Sequence, residues 1–172
     1  RKGDRNTVLS AIRRLRAALP GLTLRTTLIA GYPGETQAQF DELCDFVKEM
    51  RFDRLGCFAY SQEEDTPAAL LPQLPLELRE ERAAQLMQIQ SRILSEKQAA
   101  LQGSSLSVLC DGLDEESGLY ACRTAADAPE IDTVVYVKSD ALPLAEGAFY
   151  GVRVDDSDAV DLYAHLETEE VE

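Results

Sequence analysis

The stretch LRTTLIAGYPGET, residues 24–36, decides the fold of the first half of this 172-residue chain. Together with the two residues before it, its apolar and β-branched part predicts a buried strand over Leu22–Ala30. Residues 31–35 predict a turn, and Thr36 with Gln39 matches the capping box that begins a helix. An apolar stripe at helical spacing then extends this helix as far as residue 50.

A second apolar run, residues 54–60, predicts a further strand after this helix. Strand, turn, helix and strand in this order describe a βαβ unit, whose two strands run parallel. Residues 4–19 and 77–101 show apolar side chains at three- and four-residue steps and predict flanking helices. One such unit leaves strand edges and sheet faces uncovered. We therefore expect residues 1–102 to be the distal part of a TIM-like α/β barrel, in a chain whose opening at Arg1 indicates a longer protein.

After Gly103 the hydrophobic pattern changes to a period of two, which is typical of strands. Five short strands with Gly- and Asp-rich turns are predicted at residues 105–110, 119–123, 133–138, 149–155 and 160–166. Strands of this length and spacing favour a small five-stranded antiparallel β-barrel, in the class of the oligonucleotide-binding barrels. We therefore predict two domains, residues 1–102 and residues 103–172.

The net charge of −14 belongs to the second of these domains. Residues 1–102 hold fourteen basic and fourteen acidic side chains, whereas residues 103–172 hold three basic and seventeen acidic ones. Binding to a phosphate backbone requires clustered Lys and Arg, so we do not expect the second domain to bind RNA directly. Such an acidic surface suits a basic protein partner, although a surface that only keeps the domain soluble explains the charge equally well.

The chain offers little support for metal or nucleophile chemistry of its own. Its four cysteines lack the spacing of zinc and iron–sulfur sites: Cys44, Cys57, Cys110 and Cys122. We therefore assign no metal ligand and expect the first two to be buried thiols. His165 is the only histidine, which argues against a Ser–His or Cys–His dyad. No apolar run reaches the roughly 18 residues of a membrane-spanning helix, so we expect a cytoplasmic protein without membrane contact.

The turn at residues 31–35 is the first candidate for a binding site. Ligands of parallel α/β folds bind at the carboxyl ends of the strands, which is where this turn lies. Gly31 and Gly34 let the backbone approach a ligand closely, and the helix that follows aims free N–H groups at the same point. A plain strand-to-helix connection explains the turn about as well.

Arg25, on the strand that leads to this turn, is a second candidate. Alternation puts Arg25, Thr27 and Ile29 on one face of the strand, while the apolar face meets the helices. Arg25 is then expected to point into the barrel, where an unpaired charge is costly. Its carboxylate partner is either a group on a bound ligand or a side chain in a structural salt bridge.

The complete pattern resembles the radical S-adenosylmethionine methylthiotransferases. The similarity rests on residues 24–36, on FDRLGCFAYS at residues 52–61 and on Thr66-Pro67-Ala68, and it continues to about residue 166. It implies the distal part of a radical S-adenosylmethionine α/β barrel, followed by a small β-barrel called the TRAM domain. Thr27 departs from the wider superfamily, in which a glycine often stands at this position.

The resemblance implies a cofactor site at the end of the first strand. The segment is similar to a family motif that lies against the adenosine part of S-adenosylmethionine, which implies cofactor contacts by Ile29, Gly31 and Gly34. Glu35 is a further candidate contact, with the capping of its own helix turn as the alternative. The methionyl carboxylate of the cofactor becomes the candidate ligand partner of Arg25.

Two branches of this family differ in their substrate. One modifies an adenosine of transfer RNA, and the other modifies an aspartate of ribosomal protein S-twelve. Arg25-Thr26-Thr27, the segment ADAPEIDTVVY at residues 126–136 and the acidic second domain favour the second branch. Three acids are predicted to project from a loop stiffened by Pro129 and to bind the basic ribosomal protein: Asp127, Glu130 and Asp132.

The resemblance also implies chemistry that these 172 residues do not carry. The family holds two 4Fe–4S clusters, one of them through a Cys-x-x-x-Cys-x-x-Cys motif that is absent from this sequence. We therefore expect a transferase that methylthiolates the aspartate β-carbon as a full-length enzyme, and an inactive fragment. Two alternatives stay open, a transfer RNA adenosine methylthiotransferase and a non-catalytic acidic module that binds basic proteins.

Overall fold

The computed structural model describes residues 4–139 and 142–167. Its first part consists of α1 (Arg5–Ala18), β1 (Arg25–Ala30), α2 (Gln37–Met50), β2 (Arg54–Ala59), a short 3-10 helix (Pro67–Leu70) and α3 (Leu76–Ala99). Its second part consists of β3 (Ser105–Leu113), β4 (Tyr120–Arg123), β5 (Val135–Lys138), β6 (Phe149–Ser157) and β7 (Leu162–Leu166). Apart from the 3-10 helix, which the sequence does not predict, these are the predicted elements, with ends that differ by a few residues. Within the described ranges no helix is both long and apolar enough to cross a membrane.

The first part contains the predicted βαβ unit. β1 and β2 pair in parallel, with Arg25 opposite Arg54 and Ile29 opposite Phe58. The capping box of α2 is present, because the Thr36 side chain accepts from the Gln39 N–H and the Gln39 side chain accepts from the Thr36 N–H. This box fixes where the chain leaves the turn and becomes helical.

Only one face of the β1–β2 sheet is packed against helices. Leu28 and Ala30 on that face join a core that α1, α2 and α3 complete with Leu9, Ile12, Phe40, Cys44, Val47, Met50, Ala83, Leu86 and Ile93. The alternate residues of β1, including Ile29, lie on the opposite face, as the alternation predicts, and they are exposed. Phe58 of β2 lies on the same open face and is exposed as well.

The second part is a closed five-stranded barrel with the strand order β3-β4-β5-β7-β6. Its core is lined by Val108, Cys110, Cys122, Val135, Val137, Leu144, Val152, Val154, Leu162 and Ala164. The predicted all-antiparallel arrangement is wrong for one pair, since β5 and β7 run parallel. Strand directions in a closed ring can alternate everywhere only if the number of strands is even. A closed barrel of five strands therefore contains a parallel pair.

Helix α3 connects the two parts and determines where the barrel lies. Near its start Arg79 contacts Tyr60 at the carboxyl end of β2, and near its end Lys97 pairs with Asp53 at the amino end. The chain therefore enters the barrel beside the amino ends of the two parallel strands. There the Gln98 side chain donates to the Val160 carbonyl at 2.8 Å, which attaches the helix to the barrel.

Candidate functional site

The carboxyl-edge turn, residues 31–35, follows the last residue of β1. Gly31 and Gly34 adopt φ angles of 76° and 84°, in the left-handed region that favours glycine. A side chain at Gly34 would meet open space, whereas a Cβ at Gly31 would lie 2.5 Å from Cγ of Arg79. The turn is therefore open on the side of Gly34 and closed by α3 on the side of Gly31.

Glu35 closes the turn onto itself. Its Oε1 accepts from the Gly31 N–H at 3.0 Å and from Nη1 of Arg82 at 2.7 Å. The carboxylate is largely buried by these contacts. Glu35 therefore closes the loop through Gly31 and does not cap α2, whose cap is Thr36, and a direct cofactor contact by this side chain stays a prediction.

The helix that follows the turn offers fewer free donors than its sequence predicts. The N–H groups of Thr36 and Gln39 are occupied by the capping box. The Glu35 N–H donates to the Tyr32 carbonyl at 2.9 Å. The shape of the turn and the neighbouring sheet face are therefore its more accessible features, since part of the helix terminus is occupied.

That sheet face carries an apolar surface next to the turn. Ile29 and Phe58 stand side by side in the β-sheet register and are 57% and 64% exposed. Tyr32 and Tyr60 meet edge to face with ring centroids 5.4 Å apart. The buried Tyr60 hydroxyl has no hydrogen-bond partner among the described residues. This combination suits a flat, mostly apolar ligand group that carries polar atoms at its rim.

Two arginines of α3 hold this edge together, and the sequence reasoning missed both. Arg82 is buried against the Phe40 ring, 5.1 Å from its centroid, and binds Glu35. Arg79 donates to the Tyr60 carbonyl at 2.5 Å. Their spacing of three residues, which places both on one helix face, is the signal that could have indicated them.

A second cluster, the amino-edge clamp, lies at the other end of the same strands. It consists of Arg25, Arg54, Asp127 and Asp132. Arg25 pairs with Asp132, and Arg54 pairs with Asp127 and lies 3.7 Å from Asp132. Nη2 of Arg54 also donates to the Thr133 hydroxyl at 2.9 Å. The clamp therefore fixes the loop of the barrel to the first residues of β1 and β2.

Arg25 has the carboxylate partner that its position required, in the form of a structural salt bridge. The partner belongs to the small barrel rather than to the α/β part. Gly31 lies six positions after Arg25, and an extended chain of that length spans about 20 Å. The observed partner of Arg25 is Asp132, and a contact between Arg25 and the cofactor carboxylate stays a prediction.

Of the three acids predicted to project toward a partner, two have buried side chains and one is exposed. The side chains of Asp127 and Asp132 are only 2% and 6% exposed, so the expectation that they project is wrong. Both are turned inward because the clamp arginines bind them. Glu130 is exposed, at a φ of 61°, and its binding to a substrate protein stays a prediction.

The environment of Asp127 keeps its carboxylate charged. Burial alone would raise the pKa of Asp127, but hydrogen bonds from Thr124 and Arg54 lower it below the ordinary value. The Thr124 hydroxyl donates at 2.5 Å and the Thr133 hydroxyl at 3.0 Å. The clamp is therefore an ionic contact at neutral pH.

The outer surface of the barrel is acidic because acidic side chains outnumber basic ones there, and two of its arginines are paired with carboxylates. Arg123 pairs with Asp111 at 3.0 Å and Arg153 with Glu167 at 2.7 Å. Exposed acids include Glu115, Glu116, Glu130, Glu146, Asp156 and Asp158. His165 sits on β7 with Nδ1 2.8 Å from Asp155, which places it at the surface.

The cysteines are free thiols. Burial raises the pKa of Cys57 to about 11 and that of Cys122 to about 12. In residues 4–139 and 142–167, no three His, Cys, Asp or Glu side chains gather as metal ligands would. The described residues therefore do not fit a 4Fe–4S cluster.

Comparison with known protein families assigns the second part of the chain to a class of domain. Residues 103–166 match the model of the TRAM domain. The closed barrel is therefore a TRAM domain, as the resemblance to the methylthiotransferases implied.

The particular relatives extend this similarity over nearly the whole chain. It is 45% identical over 166 residues to the ribosomal protein uS12 methylthiotransferase RimO of Janthinobacterium sp. (strain Marseille), covering 94% of this chain and 36% of that protein. It is 40% identical over 156 residues to the RimO of Chlorobium chlorochromatii, covering 90% and 35%. With the RimO of Burkholderia cenocepacia it shares 42% over 170 residues, covering 96% and 37%. The resemblance to methylthiotransferases is thereby confirmed, and the chain spans about a third of the length of these relatives.

Proposed function

We propose that the full-length protein containing this chain methylthiolates an aspartate of ribosomal protein uS12, with S-adenosylmethionine held at the carboxyl-edge turn. The observation that carries the proposal is the identity of 40–45% to proteins named for uS12 methylthiotransfer. It extends through both parts of the chain, so it includes the turn as well as the TRAM domain.

The residues at the turn fit S-adenosylmethionine. The exposed Ile29 and Phe58 side chains offer an apolar surface to the adenine ring, and the unpartnered Tyr60 hydroxyl offers a hydrogen bond. Gly34 leaves room for the ribose or the methionyl portion. When bound, the cofactor supplies the radical that removes hydrogen from the substrate carbon, while these residues bind and orient it.

The cofactor site is tested by a matched pair of glycine variants in the reconstituted full-length protein. Gly34 and Gly147 have φ angles of 84° and 78°, and each would point a Cβ into open space. Valine at either position therefore brings the same kind of backbone strain. We expect Gly34→Val to weaken S-adenosylmethionine binding about tenfold by calorimetry, and Gly147→Val to leave it unchanged. Equal affinities in both variants would contradict this placement.

The protein substrate is proposed to approach the acidic surface of the TRAM domain. Opposite charges chiefly accelerate association. The acidic surface should therefore raise the association rate constant, and added salt should weaken this increase. Glu115→Lys with Glu116→Lys should slow association with uS12 at low salt. The same double reversal at the exposed Glu80 and Glu81 of α3 is the control. Tight binding of transfer RNA by the unmodified protein would instead support the RNA-modifying alternative.

A further inference from the structure

We propose that Arg82 is a positioning residue, which holds the carboxyl-edge turn in the conformation that accepts S-adenosylmethionine and acts through Glu35. The inference rests on the proposed function for the identity of the ligand. Its geometric basis is the contact between α3 and the turn.

Arg82 contacts the turn through both the main chain and a side chain. Its Nη1 donates to the Glu35 carbonyl at 3.0 Å and to Oε1 of Glu35 at 2.7 Å, and its Nη2 donates to Oε1 of Gln37 at 3.3 Å. The side chain is almost fully buried and its guanidinium lies over the Phe40 ring. A planar group with fixed donors can hold these acceptors in one arrangement, which a flexible ammonium cannot.

Glu35 links Arg82 to Gly31 at the start of the turn. The same Oε1 that binds Arg82 accepts from the Gly31 N–H. If Arg82 is removed, a largely buried carboxylate loses its charged partner, and this favours a different arrangement of Glu35. The Gly31 N–H then loses its acceptor, so the backbone beside Ile29 and Gly34 is no longer held. Arg82 thus determines the shape of a ligand surface that it does not touch.

The test measures S-adenosylmethionine affinity in the reconstituted full-length protein by calorimetry. Arg82→Met keeps the aliphatic stem and the volume while removing the charged fork. We expect its dissociation constant to rise about tenfold. Arg82→Lys, which retains the charge, should recover part of the loss. Arg92→Met is the matched control, because Arg92 is an exposed arginine on the same helix.

A double-mutant cycle separates positioning from general destabilisation. Glu35→Gln should also weaken binding, and combining it with Arg82→Met should add little, because both changes break one chain of contacts. Additive losses would overturn the proposal. So would unchanged affinity in Arg82→Met while the wild type binds. Failure of the wild type itself to bind would overturn the proposed function instead.

Discussion

The two parts of this chain solve the problem of a strand edge in opposite ways. In the TRAM barrel every strand has a neighbour on both sides, and its apolar residues are enclosed. In the α/β part, β1 and β2 pair with each other alone within the described residues, and one sheet face stays open. Closure gives the barrel a self-sufficient core, whereas the open sheet keeps apolar side chains available for a ligand or for further chain.

The largest expected difference between the two parts concerns independent folding. A piece of residues 100–172 keeps Leu101, which packs against the barrel core, and should unfold cooperatively. A piece of residues 1–102 has only a two-stranded sheet and should lack a sharp transition, since such sheets are marginal alone. Thermal unfolding followed by circular dichroism measures both. A cooperative transition of the 1–102 piece at the same temperature as that of the full chain would contradict this expectation.

The amino-edge clamp joins the two parts, and its two arginines should differ in strength. Arg54 is 13% exposed, so Arg54→Met leaves a buried carboxylate without its partner and should cost about 3 kcal/mol of unfolding free energy. Arg25 is 45% exposed, so Arg25→Met should cost about 1 kcal/mol or less. Chemical denaturation of the full chain measures both values. Equal losses would show that burial does not determine the strength of this clamp.

The two glycines of the carboxyl-edge turn provide a smaller contrast. Gly31→Ala and Gly34→Ala both force a side chain into a positive φ, which costs about 1 kcal/mol. Only Gly31→Ala also brings a Cβ against the stem of Arg79. We expect it to lower stability by about 1–2 kcal/mol more than Gly34→Ala, because overpacking adds its own cost. Thermal unfolding of the two variants side by side measures the difference, which should vanish if α3 moves away freely.

The smallest expected effect is the pH dependence of the clamp. The pKa of Asp127 is lowered in the folded state, so its ionic contribution is present above the unfolded value of about 4 and is lost as pH falls through the folded pKa. The difference in unfolding free energy between wild type and Asp127→Asn should be constant from pH 7 to about pH 5 and shrink below. Asp156→Asn, at an exposed position, provides the baseline. A difference that stays constant to pH 3 would contradict an ionic clamp.

The sequence predicts local elements well and contacts between distant segments poorly. The period of three to four residues, the Thr36–Gln39 box and the alternation along β1 follow from neighbouring residues, so they could be recognised directly. The clamp could not, because Arg54 and Asp127 lie 73 positions apart in the sequence and are brought together only by the tertiary structure. The prediction that Asp127 and Asp132 face solvent is wrong for the same reason, since charge composition does not show where a carboxylate points. Arg82 carried a weak signal in its spacing from Arg79, but its partner Glu35 could not be inferred.

The position of the clamp sets the distance between the attached end of the barrel and the carboxyl-edge turn. The TRAM barrel is fastened at the amino ends of β1 and β2, while the carboxyl-edge turn lies at their other ends. A strand of six residues separates these ends by about 20 Å. Under the proposed function, a substrate protein that docks on the barrel beside this attachment has to extend a segment about this far to bring its aspartate to the turn. The attachment thus sets the span between that docking point and the proposed cofactor site.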